Sequence, residues 1–87
     1  MDFEFDPVKS AANRGKHGID FVEAQALWND SDRLEIPARS VDEPRAQVIG
    51  MIGSQVWSAF VTFRDERVRI ISVRRARDEE KARYLGR

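Results

Sequence analysis

The sequence contains no cysteine and a single histidine, His17. Without thiols there is no disulfide framework and no thiolate metal site, so this chain of 87 residues must draw its stability from one hydrophobic core. A single domain spanning residues 1–87 is expected. The missing cysteine fits a reducing compartment, and a cytoplasmic location is expected. One histidine among scattered carboxylates is a poor ligand set for a transition metal, so neither a metal nor a cofactor is expected. Glycine-rich phosphate loops are absent, as are a nucleophile elbow and a paired-carboxylate motif. The opening stretch MDFEFDP is acidic and lacks the apolar run of a secretory signal. Long hydrophobic runs are scarce. The exception is AQVIGMIGSQVWSAFVTF, residues 46–63, which carries no charge over nearly the length of a membrane-spanning helix. Gln47, Gly50, Ser58 and Thr62 interrupt it, and Gly53-Ser54-Gln55 reads as a turn. Two buried strands are therefore expected there, with no membrane association.

Net charge is also missing: 15 Lys and Arg balance 15 Asp and Glu. The charges are nevertheless segregated. Residues 20–43 carry seven acids against Arg33 and Arg39, whereas residues 64–87 carry nine bases against five acids. A neutral protein with one basic end can still offer a positive surface to phosphates.

The elements follow from local chemistry. Phe3 and Phe5 alternate with acids, so FEF reads as a short strand. Asp6 can cap a helix and Pro7 suits its first position; the helix runs from about Val8 to Lys16 and stops at Gly18. Val8, Ala11 and Ala12 are its expected apolar stripe. Asp20 and Glu23 are spaced as a capping box for a second helix carrying Phe21, Ala24 and Trp28. RLEIPA is an expected edge strand with Pro37 near its end, and SVDEP a loop. RAQVIGMIG and VWSAFVTF form a hairpin, RDE turns the chain, and RVRIISV is another strand. RRARDEEKARYL has helix propensity, with acids early and bases late. The order is β-α-α-β-β-β-β-α. The expectation is an α+β fold: a small antiparallel sheet of about four strands, with two N-terminal helices and one C-terminal helix covering one face.

The chemistry available is one histidine, one tyrosine and arginines at strand ends. Arg64 ends one strand and Arg74 and Arg75 end the next; alternation sends Arg74 and Arg75 to opposite faces. Guanidinium groups on a sheet suit phosphodiester chemistry, since they bind phosphate bidentately and neutralise the charge of a pentavalent transition state. RNA supplies its own nucleophile in the 2′-hydroxyl, and histidine fits either proton role. Read alone, however, His17 is a helix-end residue, Tyr84 a packing residue, and Arg67 and Arg69 a solvated strand face.

FEFDPVKSAANRGKHGIDFVEA resembles the opening of BrnT-type ribonuclease toxins of bacterial type II toxin–antitoxin pairs. The resemblance continues through LWND and EPRAQVIG and is most specific in RIISVRRARDEEKARY. Phe5, where tryptophan is common, and Val73, where alanine is common, depart from the pattern. The sequence also stops three residues after Tyr84, short of any longer family tail. The resemblance implies a RelE-like fold, RNA cleavage that arrests growth, a cognate BrnA-like DNA-binding antitoxin, and contact with operator DNA only through that antitoxin. Its motif residues here are Lys9, Asn13, Lys16, His17, Asp30, Glu43, Arg45, Arg64, Arg74 and Tyr84, of which Asn13 and Asp30 read equally as caps or turn formers. His17, Lys16, Glu43, Arg64, Arg74 and Tyr84 are expected to be catalytic, and Lys9, Arg45, Arg69 and Arg75 to bind RNA. The competing expectation is a non-catalytic RNA- or antitoxin-binding module acting as a co-repressor subunit.

Overall fold

Asp6 and Gly18 bracket the first helix, α1 (Pro7–His17), in a computed structural model that describes residues 1–38 and 43–86. The Asp6 carboxylate accepts from the Val8 N–H at 2.8 Å. Gly18 takes the left-handed conformation (φ 79°), and its N–H donates to the Arg14 carbonyl at 2.9 Å. Before α1 runs β1 (Asp2–Glu4). After it, Asp20 and Glu23 form the expected reciprocal capping box, with Glu23 N to Asp20 Oδ1 at 2.7 Å and Asp20 N to Glu23 Oε1 at 3.0 Å. The segment they open is a 3-10 helix, Glu23–Asn29, rather than an α-helix. The remaining elements are β2 (Leu34–Ala38), β3 (Arg45–Ile52), β4 (Gln55–Arg64), β5 (Arg67–Arg75) and α2 (Asp78–Leu85). Of the expected SVDEP loop, residues 40–42 lie outside the described residues.

Among the described residues the sheet has five strands in the order β1-β5-β4-β3-β2. It is mixed rather than antiparallel: β1 runs parallel to β5, pairing Asp2 with Arg67 and Glu4 with Arg69. The other three pairings are antiparallel. A turn through Gly53 (φ 60°) joins β3 to β4, and one through Asp65 and Glu66, both left-handed, joins β4 to β5. Two consecutive left-handed residues match the right-handed twist of the strands they connect. A bulge pairs Phe60 with Ser72 and Val61 with Ile70, leaving Ile71 as the extra residue.

Helices cover both faces, contrary to the one-faced arrangement expected. On one face Val48, Ala59, Val61, Ile70 and Val73 pack against Ile19, Phe21, Ala24 and Leu27. On the other, Ile49, Val56 and Ala76 pack with Ile36, Met51 and Tyr84 of α2. The reason is legible in β3 and β4, which are apolar on both sides and need two covers.

The buried side of α1 also differs from expectation. Val8 is 77% exposed and Ala11 and Ala12 are exposed, while the buried residues of α1 are Ser10 and Asn13. β1 supplies hydrogen bonds to β5 only at Arg67–Arg69, and further along that edge Asn13 supplies them instead. Its Nδ2 donates to the carbonyls of Val73 (2.9 Å) and Ile19 (2.8 Å), and its Oδ1 accepts from Val73 N at 3.2 Å. Ser10 Oγ accepts from Phe21 N at 2.9 Å. Satisfying buried backbone groups decides which side of α1 turns inward.

Candidate nucleic-acid interface

Strand pairing gathers arginines on the sheet face opposite α1. Arg45 lies across from Thr62, Thr62 across from Arg69, and Arg69 across from Glu4, a row spanning β3, β4, β5 and β1. Arg64 and Arg67 face each other in the next row. Arg45, Arg64 and Arg67 are exposed and Arg69 is half-buried. Among the described residues three acids stand beside them: Glu43 meets Arg64 at 3.4 Å, Glu4 meets Arg69 at 3.9 Å, and Asp2 pairs across from Arg67. Such surface pairs are worth only about 0–1 kcal/mol and leave the cations able to engage another anion. The Thr62 hydroxyl is buried in this row without a hydrogen-bond partner among the described residues. Beside it Phe60, Ile71, Ala38 and Arg45 line a hollow of about 150 Å³.

Arg74 occupies the other end of the same face. It pairs across from Ser58, six residues from Arg64 along β4, so the two arginines sit at opposite rims roughly 20 Å apart. Glu80 of α2 accepts from both outer nitrogens of Arg74, Nη1 to Oε1 at 2.8 Å and Nη2 to Oε2 at 3.0 Å. Gln47 Nε2 reaches Glu80 Oε2 at 2.6 Å and Ser58 Oγ at 2.7 Å, and the Arg77 N–H reaches Glu80 Oε1 at 2.8 Å. The Arg74 hydrogen bond, aided by Arg77 and Gln47 and opposed by burial, holds the Glu80 carboxyl at about 2. Arg74 is raised above its ordinary value, first by the same bond. Its guanidinium lies over the Phe60 ring, 5.2 Å from the centroid.

The other expected site residues are dispersed. Arg75 points to the α1 side, as alternation requires, with its guanidinium 5.9 Å from the Trp57 ring centroid. Lys9 and Lys16 are exposed on α1, and His17, half-buried, ends that helix. Among the described residues no hydrogen bond or ion pair joins His17 to an arginine. Tyr84 is half-buried, and its hydroxyl donates to Asp30 Oδ2 at 2.5 Å. Asp30 also accepts from Met51 N (2.8 Å) and Asp32 N (2.9 Å), so it is a structural anchor for α2 and β3. Only Arg45, Arg64, Arg69 and Glu43 come together, with Arg74 farther along the same face.

Arg67, read as part of a solvated strand face, and Phe60, Gln47 and Glu80 are not among the expected site residues. Arg67 had a usable signal, since alternation along β5 puts it on the face of Arg69; Phe60 belongs to β4, and its place on that face depends on the register between the strands. Glu80 had a weaker one: an acid three residues after Arg77 opens a helix, which says nothing of Arg74.

Among the described residues, no group of three or more His, Cys, Asp or Glu is placed to hold a metal ion. None of the described helices is long and apolar enough to cross a membrane. Comparison with curated proteins gives no match. The family described as "Ribonuclease toxin, BrnT, of type II toxin-antitoxin system" matches residues 5–80, from the end of the first strand into α2. That span includes the whole arginine-bearing face and its Glu80 support, and the chain accordingly belongs to the BrnT ribonuclease toxins of type II toxin–antitoxin systems.

Proposed function

We propose that the protein is a metal-independent endoribonuclease that inhibits translation and growth by cleaving RNA, and that a BrnA-like DNA-binding antitoxin neutralises it. The observation that carries this reading is the double row of Arg45, Arg69, Arg64 and Arg67 on an open sheet face beside the Phe60 ring. Guanidinium groups hold the phosphates of a single strand, and an aromatic ring gives a base something to stack on.

In the proposed reaction the 2′-hydroxyl oxygen attacks the adjacent phosphorus. The bond from phosphorus to the 5′-oxygen breaks, leaving a 2′,3′-cyclic phosphate and a 5′-hydroxyl. One group removes the 2′ proton, another returns a proton to the leaving oxygen, and arginine offsets the added charge. Arg64 and Arg74, at opposite rims of the face, hold different phosphates of the strand, and Arg45 and Arg69 hold the stretch between them; Arg75 and Lys9, on the α1 side, meet RNA that wraps round the sheet edge. The proton roles fall to His17, Lys16, Glu43 and Tyr84, and among these Glu43 shares an ion pair with the arginine rows. The antitoxin covers the arginine face and excludes RNA from it.

Cleavage of an oligoribonucleotide in EDTA, with analysis of the ends, tests the reading. Activity without metal and 2′,3′-cyclic ends are expected. Removing a group that moves a proton, by His17→Ala or Glu43→Gln, slows cleavage by roughly 10²–10⁴. Loss of activity in EDTA with recovery in Mg²⁺ rules the mechanism out.

One observation favours a second reading, a non-catalytic RNA- or antitoxin-binding co-repressor subunit: Tyr84 and Arg74 both give hydrogen bonds to structural partners. On that reading induction without the antitoxin leaves growth unaffected, and no RNA is cut.

A further inference from the structure

The guanidinium of Arg74 carries five N–H donors. Glu80 takes the two at its outer end, one from Nη1 and one from Nη2, and the Arg75 carbonyl takes the second Nη1 hydrogen at 3.1 Å. What remains is the Nε–H and the second Nη2–H, which lie along one edge and form a second fork of carboxylate or phosphate geometry. Neither has an acceptor among the described residues. The Glu80 carboxylate accepts two hydrogen bonds from Arg74, one from Gln47 and one from the Arg77 backbone. With about four lone-pair sites its capacity is filled. A phosphate that displaced Glu80 from Arg74 would orphan Gln47 and the start of α2 as well. A phosphate that docks on the vacant edge breaks nothing.

We infer that Glu80, braced by Gln47, is a positioning residue that fixes Arg74 so that its Nε–Nη2 edge receives a substrate phosphate. This rests on the reading of Arg74 as a phosphate ligand. Glu80 neither touches the substrate nor moves a proton; it removes the rotamer freedom that Arg74 would otherwise lose on binding. The Phe60 ring beneath the guanidinium and the Ser58 hydroxyl behind Gln47 complete the support.

Two experiments on the free toxin test the inference. In the first, Arg74→Ala, Glu80→Gln and the double variant are assayed on an oligoribonucleotide, with rates expressed per folded molecule. Glu80→Gln is expected to lower kcat by about 10–100-fold while KM holds or falls, because an unneutralised but wandering Arg74 still attracts phosphate. In the Arg74→Ala background Glu80→Gln is expected to have no further effect, since it acts only through Arg74. Additive losses, or faster cleavage by Glu80→Gln, overturn the inference while leaving Arg74 as a ligand. An Arg74→Ala variant that cuts at the parental rate overturns the assignment of Arg74 as well. The second experiment needs no variant to fold. The Nε–Hε NMR signal of Arg74 is followed as a non-cleavable 2′-O-methyl oligoribonucleotide is added. It is expected to shift with binding; a signal that stays fixed while those of other arginines move overturns the proposed contact.

Discussion

Asn13 does with one side chain what a strand does with its backbone. It gives β5 a donor and an acceptor at Val73, where β1 has already ended, and also holds the Ile19 carbonyl. Replacing Asn13 with Ala orphans three buried backbone groups at about 1–3 kcal/mol each before relaxation. A loss of roughly 2–4 kcal/mol, or a Tm lowered by about 10–20 °C, is expected for a domain of this size. Asn13→Asp should be no better, because a carboxylate cannot donate to either carbonyl. A thermal melt that moves by less than ~2 °C for both variants would show that the edge is satisfied in another way. The sequence admits Asn13 as a cap or turn residue, but one of its two partners, Val73, lies sixty positions away and is invisible to local spacing. The opposite faces of Arg74 and Arg75, by contrast, follow from strand alternation alone. Tyr84, proposed for the proton chemistry, also binds Asp30, 54 residues away and beyond the reach of local spacing.

At the scale of elements, α2 is unusual in having no buried residue of its own. Polar anchors do much of the work of fastening it: Glu80 to Arg74 and Gln47, and Tyr84 to Asp30. This makes its attachment sensitive to acid. Glu80 sits at about 2 in the fold against an ordinary 4.5, so it contributes stability above pH 4.5 that disappears as the pH falls toward 2. The contribution is on the order of 2 kcal/mol. Melting curves should therefore show Glu80→Gln less stable than the parent at pH 7, with the gap closing between pH 4.5 and 2. A gap that is constant with pH would mean that the carboxylate charge is not what fastens α2. Element ends were the most legible part of the fold, because Asp6, Pro7, Gly18 and the Asp20–Glu23 box act within a few residues. What spacing could not supply was partnership. The parallel β1–β5 pairing, the inward side of α1 and the opposite placement of α2 all depend on contacts between distant segments.

For the whole molecule, zero net charge conceals a polarised surface. Four arginines, Arg45, Arg64, Arg67 and Arg69, gather on one face, with Glu43, Glu4 and Asp2 beside them. Binding of a 2′-O-methyl oligoribonucleotide should consequently weaken with salt. Three to four phosphate contacts correspond to a slope of about −2 to −3 in log K against log salt concentration, measurable by fluorescence anisotropy. Saturating antitoxin should abolish the same signal. A slope near zero would exclude the arginine face as the RNA site. The sheet order has a further consequence, in time rather than in space. Among the described residues β1 pairs only with β5, so Asp2–Glu4 must wait during synthesis for Arg67–Arg69 to emerge. The arginine rows need β3, β4 and β5 side by side, and no earlier fragment of the chain contains them. On the proposed function, a ribosome making this protein has moved past β5 before its product can cut RNA, and an antitoxin already at hand can meet the protein as it folds.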